Sequence, residues 1–321
     1  MERLKILLLS KGFRLLSGIL LLGYIIYYLF KNSSLLTSIF SISMWYLILL
    51  ILVWLNIYLI TGYKTKILLE IFKIKTTFKE WFGTTVIGAM TNYLLPQSGF
   101  VTRASYFKIR KKMPITYFFA AQSADMLLAL LSKGLIGLIC TLISPFEPKN
   151  KFILIAIFLG FMLISLIPFF VQKIIRLSNR NWFIKKIKSF IYGIQLIGQS
   201  PKVYWRLIFI NFFGSVFYAV WYLLAFRALG YNITFIEALV LGVLLNALMA
   251  VQVTPGNLGL QEVVTAAYAA MTKVGFNQGL TVSLLLRGVS ILMSFSLGTI
   301  FARNLFNINL GRAAPLKSKK N

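Results

Sequence analysis

Nearly uncharged apolar stretches long enough to cross a bilayer recur along this chain, and they restrict it to membrane architectures. Phe13–Phe30, Phe40–Tyr63, Ile115–Ile143, Phe152–Val171, Val203–Phe226 and Gly279–Ala302 all read this way. About 20 apolar residues in a helix cover the hydrocarbon core. Backbone groups in that core must satisfy their own hydrogen bonds, which leaves helices or closed barrels. Unbroken apolar runs of this length select helices, not the alternating pattern of barrel strands. The chain is therefore predicted to be an all-α polytopic membrane protein. Met1–Arg14 is basic and the apolar run after it has no small-x-small cleavage site, so it reads as a first anchor rather than a signal peptide.

What the chain lacks narrows its chemistry. It has no histidine, a single aspartate (Asp125) and one cysteine (Cys140). Zinc, haem and di-metal sites mostly draw on histidine or clustered carboxylates, so no metal and no cofactor is expected. A Ser-His-Asp triad and a dyad of aspartates are both impossible. No GxxxxGK[ST] loop is present. One cysteine forms no intrachain disulfide and reads as packing. The net charge of +27 lies mostly in short loops between apolar spans. That distribution argues for membrane topology and contact with anionic lipid, and against nucleic acid as a partner.

Two stretches break the pattern. Thr254-Pro255-Gly256-Asn257-Leu258-Gly259-Leu260-Gln261-Glu262 interrupts an apolar region with a proline, two glycines and a carboxylate, between Phe235–Val253 and Leu260–Met271. Pro96-Gln97-Ser98-Gly99 separates two segments, Trp81–Leu95 and Phe100–Ile109, that are both too short to cross. Backbone that breaks at bilayer depth must be buried in protein or line a wet cavity. Both stretches are predicted to be tips of re-entrant helical hairpins. The positive-inside rule supports the first hairpin returning to its own side. With both termini cytoplasmic, only Lys31, Lys149, Lys151, Arg227 and Lys273 fall outside, and Arg103, Lys133 and Arg287 lie within membrane segments. The polar stretch Gln172–Lys202 reads as an amphipathic surface helix or a solvated linker.

The chain then divides into a single membrane domain of two repeats, 1–143 and 152–302, joined by 144–151 and followed by a basic cytoplasmic tail, 303–321. Each repeat reads span, span, re-entrant hairpin, span. This gives about six full spans plus two hairpins, or eight if the hairpins are counted as spans. Three crossings per repeat make the repeats inverted, a recurring transporter design. Pro96-x-x-Gly99 answers Pro255-x-x-x-Gly259. Seven residues after each proline stands a charge, Arg103 and Glu262, and the next span carries the opposite one, Asp125 and Arg287. These four are expected to meet near the pseudo-twofold axis, since a buried charge needs a partner. Plainer readings stay open. The breaks could be kinks, Arg103 could snorkel beside Lys108, Asp125 and Lys133 could be glue within one helix face, and Glu262–Arg287 could be a structural ion pair. Asn92, Gln122, Asn246 and Gln252 could bond only between helices.

Asn92-Tyr93-Leu94-Leu95-Pro96-x-x-Gly99-x-x-x-Arg103, the later Asp125, Pro255-Gly256-x-x-Gly259-x-x-Glu262 and Arg287 together resemble the flippase-like transmembrane family, related to the membrane region of lysylphosphatidylglycerol synthase. The resemblance runs over about Lys11–Ala302. Family members often carry an acidic residue after the first glycine, where this chain has Phe100. The resemblance implies a protein of the cytoplasmic membrane of a prokaryote that moves an anionic phospholipid or polyprenyl-phosphate-linked molecule between leaflets, with a separate synthase as possible partner. It does not imply aminoacyl transfer, which belongs to a soluble domain for which no room is left after Ala302, so the chain is not expected to be an enzyme. Arg103, Asp125, Glu262, Arg287, Asn92, Asn257 and Gln261 are the candidate substrate-binding residues, with Pro96, Gly99, Pro255, Gly256 and Gly259 forming the tips. An intramembrane enzyme resting on Glu262 and Asp125, or a scaffold for an envelope synthase, are the rival readings.

Overall fold

A computed structural model describes residue 39 and residues 41–174, 200–248 and 254–306. These residues form nine α-helices and no strand: α1 (Met44–Glu70), α2 (Phe78–Leu94), α3 (Ser98–Lys111), α4 (Ile115–Ile143), α5 (Pro148–Ile174), α6 (Pro201–Ala228), α7 (Phe235–Leu248), α8 (Leu260–Met271) and α9 (Phe276–Phe306). Five of them, α1, α4, α5, α6 and α9, are long and apolar enough to cross a membrane. The chain is thus a multi-pass membrane protein. The predicted span Phe13–Phe30, most of the polar stretch Gln172–Lys202, the end of Phe235–Val253 and the tail beyond Phe306 lie outside the described residues.

Local sequence sets the helix ends. Thr77 precedes α2, and its backbone N–H donates to Glu80 Oε2 at 2.8 Å. Thr234 precedes α7, and its backbone N–H donates to Glu237 Oε2 at 2.7 Å, while the Glu237 amide returns a bond to the Thr234 hydroxyl. Both are capping boxes, in which a hydroxyl and a carboxylate three residues apart satisfy amides that have no partner in the helix. Proline suits the first turn, where no amide bond is lost, and α5 and α6 begin with one.

The helix α1 corrects one sequence reading. The second span was expected to end at Tyr63. Instead the helix continues to Glu70. No glycine or proline stands between Tyr63 and Glu70, and Ile67, Leu68 and Leu69 are buried there. Burial of those three side chains favours continued helix over a solvated loop.

Helices α2 and α3 double back on each other across Leu95-Pro96-Gln97. Gln97 adopts the left-handed region (φ 61°) and makes the turn. The two arms touch through backbone, because a Cβ on Gly99 would collide with the carbonyl oxygen of Gly88. At the open end of this hairpin Lys111 pairs with Glu80 at 2.7 Å, and Arg110 donates to the Leu305 carbonyl at the end of α9. The core is an apolar cluster to which α1, α6, α7 and α9 contribute most, with Trp54, Tyr222, Phe226 and Val243 fully buried in it.

Candidate functional site

The second break is built from Pro255–Asn257, a single 3₁₀ turn, followed by Leu258 and Gly259 before α8 begins. Gly256, Asn257 and Gly259 all have positive φ (56°, 54° and 83°). Glycine reaches that region without strain, and asparagine tolerates it better than most residues. Such a turn leaves carbonyls and amides without helical partners, and in an apolar setting each needs another.

Arg287 on α9 supplies them. Its Nε donates to Glu262 Oε1 at 2.8 Å, its Nη1 to the Gly256 carbonyl, and its Nη2 to the Asn257 carbonyl at 3.3 Å. The other carboxylate oxygen, Glu262 Oε2, accepts the Gly259 backbone N–H at 2.8 Å. Glu262 is 1% exposed and Arg287 6%. A carboxylate in the first turn of α8 also faces the positive end of that helix. The guanidinium lies over the Tyr93 ring, 5.9 Å from its centroid. Gln261 Nε2 donates to the Tyr222 hydroxyl at 3.2 Å. The predicted pair Glu262–Arg287 is therefore a clamp that closes the tip on itself, with every arm of the arginine engaged.

The first tip is held differently. Asn92 Oδ1 accepts the Gly99 backbone N–H at 2.7 Å, and the Ser98 hydroxyl donates to the Thr91 and Leu95 carbonyls. Pro96 stands at the turn itself. Tyr93, at the end of α2, packs on the second tip: its ring fills the space where Gly256 would carry a Cβ. The two breaks thus approach each other through Tyr93 and Gly256.

The expected meeting of all four charges is corrected. Asp125 does not join Glu262 and Arg287. It pairs with Lys64 on α1, Nζ to Oδ2 at 2.8 Å, and Asn211 on α6 completes the group. Lys64 donates to Asn211 Oδ1 at 3.1 Å, and Asn211 Nδ2 donates to Asp125 Oδ1 at 3.3 Å. Arg103 reaches into the same region: its Nη1 donates to the Thr65 hydroxyl at 3.3 Å, and the Asp125 carboxylate is the charge acting on it. Lys133 on α4, 7% exposed, feels both Lys64 and Asp125 but has no hydrogen bond or ion pair among the described residues.

Lys64 and Asn211 are the residues that sequence reading passed over. Lys64 was hidden by the misplaced end of α1. Asn211 was visible as a lone amide in an otherwise apolar run. Between the same two helices, α1 and α6, lies an apolar groove of about 980 Å³ lined by Asn56, Ile60, Tyr63, Trp205, Phe209 and Phe213. Among the described residues no three histidine, cysteine, aspartate or glutamate side chains gather as a metal site would require.

Residues 14–298 match the family model described as the lysylphosphatidylglycerol synthase TM region. No curated protein and no solved structure matches the chain.

Proposed function

Because the chain belongs to the lysylphosphatidylglycerol synthase TM region family, whose setting is lipid metabolism or envelope synthesis, we propose that it moves an anionic lipid or lipid-linked molecule between leaflets by alternating access. The observation that carries this reading is the contact of two interrupted helical units, Tyr93 of one on Gly256 of the other. Broken helices that meet inside a bundle, in two related halves, are how many transporters expose one site to either side in turn.

Further features support the same reading. The two units begin with the same capping box, Thr77 to Glu80 and Thr234 to Glu237. That agrees with an inverted repeat of 1–143 and 152–302. The open end of the α2–α3 hairpin and the end of α9 share one end of the bundle, joined by Arg110 and Leu305. With that end cytoplasmic, Lys73, Lys75, Lys79, Lys108 and Arg303 fall inside, as the positive-inside rule favours. The groove between α1 and α6 offers hydrocarbon an apolar surface. On this reading the protein lies in the cytoplasmic membrane of a prokaryote, transfers no aminoacyl group itself, and serves a lipid made by a separate synthase.

The test is a reconstituted-vesicle assay with fluorescent phosphatidylglycerol, phosphatidic acid and a polyprenyl phosphate. Protein-dependent loss of label from one leaflet is the expected result. Movement no faster than in protein-free vesicles, for all three lipids, would refute the proposal.

A further inference from the structure

Lys64 on α1 pairs with Asp125 on α4 at 2.8 Å, Arg103 on α3 donates to the Thr65 hydroxyl beside Lys64, and the buried Lys133 stands on α4 about two turns from Asp125. Three cations against one anion leave a surplus of two positive charges within the bundle. Among the described residues no other carboxylate is placed to cancel it. Of its seven acidic residues, Glu70 pairs with Arg206, Glu80 with Lys111 and Glu262 with Arg287. Glu237 caps Thr234. Glu147 lies in the turn beyond the end of α4, more than about 15 Å past Lys133 along that helix at 1.5 Å per residue. Glu2 falls outside the described residues.

An uncompensated ammonium at that depth is costly, and Lys133 is nine-tenths buried with no partner among the described residues. A hydrophobic side chain of similar length would fit the same position at lower cost. The retained charge points to an anion that comes and goes. We propose that Lys64, Arg103 and Lys133, arranged round Asp125, form the site that receives the phosphate of a lipid phosphate monoester.

The chemistry favours a monoester. Its phosphate carries about −1.5 to −2 charge at neutral pH, which matches the surplus of two. A diester such as phosphatidylglycerol carries a single charge and leaves part of the surplus unmet. A headgroup bearing its own ammonium would set like charge beside Lys133. Asp125 then has a definite part: it holds the Lys64 ammonium, and through Asn211 the position of α6, in the absence of the ligand. Lys133 stands eight residues from Asp125, about 12 Å further along α4.

This inference rests on the lipid-translocation reading above, and the experiment separates the two. Wild-type protein in neutral detergent is titrated with dihexanoyl phosphatidic acid, citronellyl phosphate, dihexanoyl phosphatidylcholine and inorganic phosphate, following the melting temperature. Both lipid monoesters are expected to raise it; the choline lipid and inorganic phosphate at equal concentration are not. Lys133→Met is expected to weaken the monoester response at least tenfold while melting no lower than wild type in the absence of ligand. Arg103→Met gives an independent check should the first variant fail to fold. An equal response in wild type and both variants, or an equal response to the choline lipid, overturns the site. A full response to inorganic phosphate alone overturns its assignment to lipid. Intact monoester binding with no transport in vesicles refutes the translocation reading and leaves the site standing.

Discussion

Glu262 spends its two carboxylate oxygens on different structures: Oε1 accepts Arg287 Nε at 2.8 Å, and Oε2 accepts the Gly259 backbone N–H at 2.8 Å. The carboxylate thereby joins α9 to the start of α8. Arg287 in turn holds the Gly256 and Asn257 carbonyls. Breaking a buried pair by removing one partner costs about 3–5 kcal/mol. Glu262→Gln and Arg287→Met should each lower stability by about that amount, read as a fall in melting temperature in detergent. The exchanged double variant, Glu262→Arg with Arg287→Glu, should not recover. A glutamate at 287 has no donor for the tip carbonyls, and an arginine at 262 has no acceptor for the Gly259 amide. Full recovery would reduce the clamp to a simple ion pair.

Lys64 and Asp125 should show coupling of a different kind. Lys64→Met leaves Asp125 with only Asn211 as a neutral donor, and Asp125→Asn leaves the cations with no anion. A thermal-denaturation cycle over the two single variants and the double variant should give a coupling of about 0.5–3 kcal/mol, the range for residues in one network. Simple additivity would mean that the 2.8 Å pair contributes little to stability.

The first hairpin should tolerate no side chain at Gly99. A Cβ there meets the Gly88 carbonyl oxygen and carbon, which are backbone and do not swing aside. At Gly88 the nearest atom to a new Cβ is the Gly99 carbonyl oxygen at 3.1 Å, a contact that a small shift relieves. Gly99→Ala should therefore cost more than Gly88→Ala, with overpacking costs of about 1–3 kcal/mol at the former. Equal melting temperatures for the two variants would contradict the close approach of α2 and α3.

Glu80 gives the fold a pH dependence at the open end of that hairpin, outside the five spans. Partial burial pushes its carboxyl up, but the Lys111 ammonium and the Thr77 amide and hydroxyl outweigh this and hold it below its ordinary value. A depressed folded-state value means stability that is complete above the unfolded carboxylate value and is lost as pH falls through the folded one. Melting temperature should drop as pH falls below about 4.3, the ordinary glutamate value, and Glu80→Gln should flatten that part of the profile. An unchanged profile would remove Glu80 from the acid response.

Five of the predicted spans were legible because an apolar run of sufficient length has few alternatives; α4, predicted as Ile115–Ile143, has those bounds. The breaks at Pro96 and Pro255 were legible because proline cannot donate to a helix and the glycines beside it mark a turn. The clamp between Glu262 and Arg287 was legible as a pair of opposite charges within apolar segments. Its bonds to the tip carbonyls were not, since they depend on how far α9 lies from residues 256 and 257. The partner of Asp125 was misread for a related reason. Symmetry of the two repeats suggested Arg103 and the second-half charges, whereas the ion pair is set by α1, α4 and α6 crossing at Lys64, Asp125 and Asn211. Sequence spacing gives the depth of a charge along its own helix. Which neighbour lies across from it is decided by packing between helices.

The capture of Glu70, Glu80, Asp125 and Glu262 by internal cations has a bearing on how the protein lives in its bilayer. Those four acids are already committed, and the chain still carries +27. Acidic lipids of the surrounding leaflet, which collect near basic segments at about 1 kcal/mol per lysine or arginine, are available to supply part of the balancing charge. A shell of acidic lipid should accompany the protein through mild extraction, and exchanging it for zwitterionic lipid should loosen the basic end of the bundle before the clamped tip.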